Sequence, residues 1–243
     1  MAGDPSAAQF PTTRWSRVFA AADPAASESR AALAELCAAY WYPLYAFVRR
    51  KGYDADRAAD LTQGYFARLL DSDLLARADQ TRGRFRAFLR ADCGFFLAHQ
   101  GERERARKRG GGAVPLSIDA RDAEGRYLRE PADPALTPDR LFDRAWALRL
   151  LDGVLGQLAG EYAAAGQSER FEALRATLGG RSISHAEVAA RLGTTEAAVE
   201  AAARRLRARY RTALREQIAA TLDGPTEAAI DAEIRDLFAA LGD

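Results

Sequence analysis

The segment Arg181-Ser-Ile-Ser-His-Ala-Glu-Val-Ala-Ala-Arg-Leu-Gly-Thr-Thr-Glu-Ala-Ala-Val-Glu200, with the arginine-rich run that follows to Arg215, carries the strongest structural signal in the chain. Ser184 and Glu187 have the spacing of a capping box, which starts a helix at Ser184. Gly193 ends that helix as a left-handed cap. Thr194 or Thr195 then caps a second helix. Val199, Ala203, Leu206, Tyr210 and Leu214 line one side of it, the spacing of a buried face. Two helices joined by a tight glycine turn form a helix-turn-helix. Arg204, Arg205, Arg207, Arg209, Arg211 and Arg215 follow with no acidic residue among them, a run suited to phosphate. The plainer alternative is a helical hairpin with a solvated basic face.

Working outward, the remainder reads as helix after helix, with no β-alternation. A chain of 243 residues, 48% hydrophobic, is long enough for one large or two small cores. A lead over residues 1–25 contains a short helix at Phe10–Ala22. Helices follow at about Glu28–Lys51 and Ala55–Leu70, separated by Gly52, and from Arg84 to about Arg107. Leu33, Leu36, Cys37, Tyr40, Trp41, Leu44 and Val48 form the apolar stripe of the first of these helices, with Pro43 inside it as a point for a kink, and Leu61, Tyr65, Phe66 and Leu69 form the buried stripe of the second. Gly110-Gly111-Gly112 closes this unit. It lacks the lysine and hydroxyl residue of a phosphate loop and reads as a hinge.

Residues 110–137, rich in Pro, Asp and Gly, read as a flexible polar linker. Thr137 caps the next helix with Pro138 in its first turn. Phe142, Trp146, Leu151, Leu155, Leu158 and Tyr162 give that helix a core face, which Leu150 and Val154 widen, and a helix at Phe171–Leu178 precedes the helix-turn-helix. The expected organisation is therefore all-α: a first domain at 26–109, the linker, a second domain at 138–222 and an acidic helix at 223–243.

The net charge is only +1, yet charge is unevenly placed. Arg82–Arg109 holds nine basic and three acidic residues, whereas Asp223–Asp243 holds six acidic residues and one arginine. This asymmetry implies a polyanion-binding surface and a separate acidic tail. Within the basic part, Thr81-Arg82-Gly83-Arg84-Phe85-Arg86-Ala87-Phe88 interleaves arginines with aromatics. Arginines neutralise phosphates and aromatic faces stack on bases. The alternative makes Phe85 and Phe88 core residues. The tail carries an apolar stripe of Ile230, Ile234, Leu237 and Phe238 that must pack on something. Two outcomes are open for it: masking Arg204–Arg215, or completing a core.

Cys37 and Cys93 lack paired spacing, and His99 and His185 lack metal-ligand partners. No acid–base constellation, nucleophile elbow or phosphate loop appears, so no catalytic residue, metal or cofactor is expected. No signal peptide and no membrane-length apolar run is present, which makes a cytoplasmic protein with no membrane partner the default expectation.

The order of these parts resembles bacterial RNA polymerase sigma factors of the extracytoplasmic-function class, over roughly residues 10 to 220. Ala38-Ala39-Tyr40-Trp41-Tyr42-Pro43-Leu44-Tyr45-Ala46-Phe47 is similar to the opening helix of the family's region two. Asp60-Leu61-Thr62-Gln63 with Phe66 is similar to its core-polymerase-binding helix. Arg82–Leu89 and the basic segment to Arg109 resemble the part that opens and reads the −10 promoter element. The helix-turn-helix resembles region four, which reads the −35 element. Thr12-Thr13-Arg14-Trp15-Ser16 and Phe142-Asp143-Arg144-Ala145-Trp146-Ala147-Leu148 resemble a subgroup with a C-terminal extension.

The resemblance implies core RNA polymerase and promoter DNA as partners, and the class also admits an anti-sigma protein. Polymerase contacts would come from Asp60, Leu61, Gln63, Phe66, Ala67 and Leu70. Contacts for melting would come from Arg82, Arg84, Phe85, Arg86, His99, Arg103 and Arg107. Upstream recognition would fall to Thr194, Thr195, Glu196, Glu200, Arg204, Arg205 and Arg207. The acidic linker, with Asp119, Asp122, Glu124, Glu130 and Asp133, would thread through the polymerase. The chain departs from the family at Gly64, where an acidic residue is common. It departs again at Gly94, His99 and Gly101, where basic or amide side chains are expected, and at Glu200, which is commonly basic. The rival expectation is a stand-alone helix-turn-helix regulator that binds an operator without polymerase.

Overall fold

The structure, a computed structural model, describes residues 29–71, 74–75, 84–106, 120–129, 136–179, 184–222 and 225–242. The expected lead at 1–25 lies outside them. Among the described residues the chain is all-helical: α1 (Ser29–Arg50), α2 (Ala55–Asp71), α3 (Phe85–Ala106), α4 (Ala120–Arg129), α5 (Pro138–Ala164), α6 (Ser168–Leu174), α7 (His185–Leu192), α8 (Glu196–Ala219) and α9 (Glu227–Leu241), with a 3-10 turn at Arg175–Thr177. None of these helices is long and apolar enough to cross a membrane.

Two compact units divide at Arg149/Leu150 and at Ala219/Ala220. The larger contains α1 to α4, the first turns of α5, and α9. Its core is built on α1, where Leu36, Tyr40, Leu44, Tyr45, Phe47 and Val48 are buried. Pro43 sits inside the continuous α1. Gly52 ends the helix with a φ of 97°, a left-handed conformation that a side chain would strain. Asp54 then caps α2 by accepting from Arg57 N at 2.8 Å. The α2 stripe expected from the sequence, Leu61, Tyr65, Phe66 and Leu69, is buried, and Phe66 stacks on Trp41 with ring centroids 5.7 Å apart.

The start of α5 belongs to this larger core, so the division falls inside a helix rather than at the expected 137/138 boundary. Aromatic packing explains the difference. Phe142 is fully buried against Tyr40 and Phe47, with centroids 6.5 and 6.3 Å away. Each aromatic buried in this way contributes roughly 1.5–3 kcal/mol, enough to hold the first turns of α5 here. Thr137 caps the helix as expected, accepting from Arg140 N at 3.3 Å.

A second difference concerns 110–137. Residues 120–129 form α4, which packs on α1 and α2 instead of remaining a polar connector. Ala123 is buried, the Arg126 guanidinium lies 4.3 Å from the Tyr42 ring centroid, and Tyr127 meets Tyr45 edge-on. Glu124 is bound by Arg49 and Tyr45. Of the acidic residues expected to thread through a polymerase, Asp122 and Glu124 thus lie on a packed helix, whereas Asp119, Glu130 and Asp133 lie outside the described residues.

The smaller unit holds the rest of α5 with α6, α7 and α8. Of the expected face of α5, Leu150, Val154 and Leu158 are buried there, and Leu151, Leu155 and Tyr162 are half-buried. Tyr162 packs on the buried Phe171 at 5.4 Å.

Candidate nucleic-acid interface

The helix-turn-helix forms through local chemistry. Ser184 Oγ accepts from Ala186 N at 3.1 Å, and Glu187 Oε2 reaches back to accept from Ser184 N at 3.3 Å. These bonds satisfy amides that have no partner inside α7. At the other end Gly193 has φ 60° and ψ 38°, and Thr194 N donates to Ala189 O at 3.0 Å. That is the glycine cap read from the sequence. Thr195, rather than Thr194, caps α8, its Oγ1 accepting from Ala198 N at 3.3 Å. Val188 and Ala189 of α7 and Val199, Ala202, Ala203 and Leu206 of α8 are buried.

On the outside of this hairpin Thr194, Thr195, Glu196, Glu200, Arg204, Arg205 and Arg207 are all exposed, as a surface that meets DNA requires. Glu200 and Arg204 pair across one helical turn at 3.5 Å, with 61% and 73% of their side chains exposed. A pair so open to water adds little stability and separates readily when either side chain meets a ligand. Arg207 donates to Thr177 O at 3.3 Å. Arg209 is held differently: Glu161 Oε1 and Oε2 accept from it at 2.5 and 3.0 Å. The Glu161 carboxyl is held below the usual carboxylate range, chiefly by this hydrogen bonding. Arg209 ties α8 to α5, and the basic run is therefore not one continuous ligand surface.

In the larger unit α3 opens with a row of arginines. Phe85 is buried, edge-on to Tyr40 at 5.7 Å and stacked on Phe88 at 6.0 Å. It packs as a core residue here, which is the alternative reading of this side chain. Arg86 is also buried. Its guanidinium lies 4.1 Å from the Trp146 ring centroid and makes an ion pair with Glu233 of α9. Arg84 Nε lies 2.6 Å from Glu233 Oε2, and Arg84 Nη2 donates to Asp236 Oδ2 at 2.6 Å. Arg90 completes the row on α3 and pairs with α5, 3.0 Å from Asp139 Oδ1 and 2.5 Å from Asp143 Oδ2. Burial pulls the Arg86 guanidinium down to about 10, with the neighbouring Arg84 charge acting in the same direction. Arg86 remains a cation at neutral pH.

The acidic tail thus serves the larger unit, with Ile230 and Leu237 buried there. Its Glu233 and Asp236 carboxylates meet Arg84 and Arg86. Sequence reasoning missed Glu233, Asp236, Asp139 and Asp143 as partners of these arginines. No local spacing marks these pairs, because the partners lie on different helices, 53 residues apart for Arg90 and Asp143 and 147 for Arg86 and Glu233.

Of the remaining expected contacts, His99 is exposed on α3, its Nδ1 3.7 Å from Glu102 Oε2. Arg103 lies on α3, and Arg82 and Arg107 lie outside the described residues. On α2, Asp60 and Ala67 are exposed and Gln63 is half-buried, which gives one accessible strip at helical spacing. Leu61 and Phe66 are buried in the core of the larger unit. Leu70 lies in the last turn of α2. Among the described residues no group of three His, Cys, Asp or Glu side chains is arranged to hold a metal ion.

Comparison with protein-family models, with curated proteins and with solved structures finds no match for this chain.

Proposed function

We propose that this protein is a sigma-type initiation factor, which brings core RNA polymerase to a promoter and helps to open it. The observation that carries the reading is the exposed face of α8 from Thr195 to Arg207, presented directly after the Gly193 turn. In a helix-turn-helix the N-terminal residues of the second helix contact base edges in the major groove. Thr195, Glu196 and Glu200 occupy that part of α8, and a Glu200 carboxylate can accept from a cytosine amino group. Arg204, Arg205 and Arg207, further along, suit phosphates. The order of the other motifs supports the same reading. The α2 strip of Asp60, Gln63 and Ala67 suits docking on the polymerase, and the α3 arginines suit the opened strand. RNA synthesis would belong to the polymerase, and the cytoplasm is where such a factor would act.

The test is whether specific DNA binding needs core polymerase. Footprinting with protein alone should give no specific protection, and adding core enzyme should protect two elements upstream of a start site. Asp60→Ala with Gln63→Ala should weaken holoenzyme assembly in competition while leaving helical content unchanged. A palindromic footprint made by the protein alone would favour the stand-alone regulator instead.

A further inference from the structure

Arg84 and Arg86 sit at the head of a helix proposed to hold opened DNA, yet both are engaged by carboxylates from the other end of the chain. Asp236 and Glu233 lie one turn apart on α9 and meet the two arginines at ion-pair distance. Beside them lies a cleft of about 310 Å³, bordered by Arg84, Arg86, Arg140, Trp146, Asp236 and Leu237. Two carboxylates on a pair of arginines stand where successive phosphates would bind, and the buried Trp146 indole, 4.1 Å from Arg86, holds that guanidinium in place.

The attachment of α9 fits a removable cover. Of its apolar stripe only Ile230 and Leu237 are buried; Ile234 is half-buried and Phe238 is 55% exposed. The third buried residue of the helix is Glu233, whose burial is tolerable only while its arginines remain in place. A helix serving solely to complete a core would bury an apolar side chain at that position. The charges therefore carry much of the contact, and charge contacts yield to a competing polyanion.

We propose that α9 is an internal competitor for nucleic acid: Glu233 and Asp236 occupy the phosphate positions on Arg84 and Arg86, and single-stranded DNA displaces them. The surface beneath α9 is then a binding site for the phosphates of an unpaired strand, and it opens as the strand arrives.

This inference rests on the reading of α3 as a strand-holding helix, and the experiment separates the two. The full chain and its Asp236→Asn and Glu233→Gln/Asp236→Asn variants are titrated with a fluorescent single-stranded oligonucleotide, without polymerase, over a series of salt concentrations. Weakening the cover should tighten binding by roughly fivefold in Asp236→Asn, the upper end for one exposed ion pair. In the double variant the slope of log affinity against log salt should steepen by about 1.4, the value for two phosphates on a single strand. Adding Arg84→Ala should remove the gain. Where the double variant melts early, Asp236→Asn carries the comparison, because its carboxylate is more than half exposed. Unchanged affinity in Asp236→Asn, or a gain that survives Arg84→Ala, overturns the proposal. Core-polymerase assembly is scored separately: its failure, with the oligonucleotide result intact, would remove the sigma reading and leave the competitor standing.

Discussion

The Tyr45 hydroxyl donates to Glu124 Oε2 at 2.5 Å, across 79 residues of chain, and Arg49 grips both oxygens of the same carboxylate at 2.9 Å. Arg49 also lies 4.9 Å from the Tyr127 ring centroid. Four side chains thus fix α4 on α1: Tyr45 and Arg49 from one helix, Glu124 and Tyr127 from the other. The Arg49 hydrogen bonds, helped by Tyr45, hold the Glu124 carboxyl below its ordinary value of 4.5. Burial, the main cause, and the nearby Glu124 push the Tyr45 phenol up.

The sign of the resulting pH dependence follows from that depression. A carboxylate with a lowered folded-state pKa stabilises the fold above its unfolded value, and the contribution is lost as pH falls through the folded value. Glu124→Gln should therefore cost up to about 1.5–3 kcal/mol at neutral pH, the range for hydrogen bonds to a charged group. The difference from wild type should shrink as pH falls below 4.5. Urea unfolding across this range checks both points. A constant difference at every pH would mean that the Glu124 charge contributes nothing.

Gly64 offers a prediction of opposite direction. It lies inside α2, where glycine is less favourable than alanine by roughly 0.8–1.0 kcal/mol. A Cβ there would stand 3.6 Å from Phe96 Cζ, ordinary van der Waals contact. Gly64→Ala should thus raise the stability of the larger unit by up to about 1 kcal/mol, measurable as a higher urea midpoint with unchanged slope. A loss of stability would mean that α2 and α3 cannot accommodate the methyl group.

Local signals were legible in the sequence and distant ones were not. The capping box at Ser184, the Gly193 stop and the α2 stripe each depend on residues within a few positions of one another, so spacing alone exposes them. Arg86 and Glu233 are 147 residues apart, and no periodicity marks either as the other's partner. For the same reason the arginines of α3 read as a free basic face, and the acids of α9 could equally be assigned to α8. Residues 120–129 escaped because a polar ten-residue helix is marginal by itself and forms through its packing. Phe142 and Trp146 were recognised as core residues, but a helical pattern does not say which core receives them.

The turn between α7 and α8 should be sensitive to its two local devices. Ser184→Ala removes the acceptor for Ala186 N and should cost about 1 kcal/mol. At Gly193 a Cβ meets nothing within 4 Å, yet φ is +60°, so Gly193→Ala is strained by its backbone rather than by its surroundings. Its cost should be about 1 kcal/mol, while Gly193→Asn, which tolerates the left-handed region, should cost less. Thermal unfolding of the three variants should place alanine at 193 below asparagine. The reverse order would mean that neighbouring contacts, not backbone conformation, select the glycine.

Glu200 and Arg204 are one helical turn apart, and their 3.5 Å contact gives two separable predictions. If Glu200 reads a base, Glu200→Ala changes which sequences bind best, by about 1–3 kcal/mol at the affected base pair. If Arg204 holds a phosphate, Arg204→Ala weakens every sequence alike and reduces the salt slope by about 1. The pairing couples the two effects, because removal of Glu200 frees Arg204 and can strengthen nonspecific binding while specificity falls. Selection from a randomised upstream element, with holoenzyme assembled from each variant, distinguishes the roles. Identical preferences for wild type and Glu200→Ala would leave Glu200 as no more than a partner that orients Arg204. A changed preference in Arg204→Ala would move base readout one turn further along α8 than proposed.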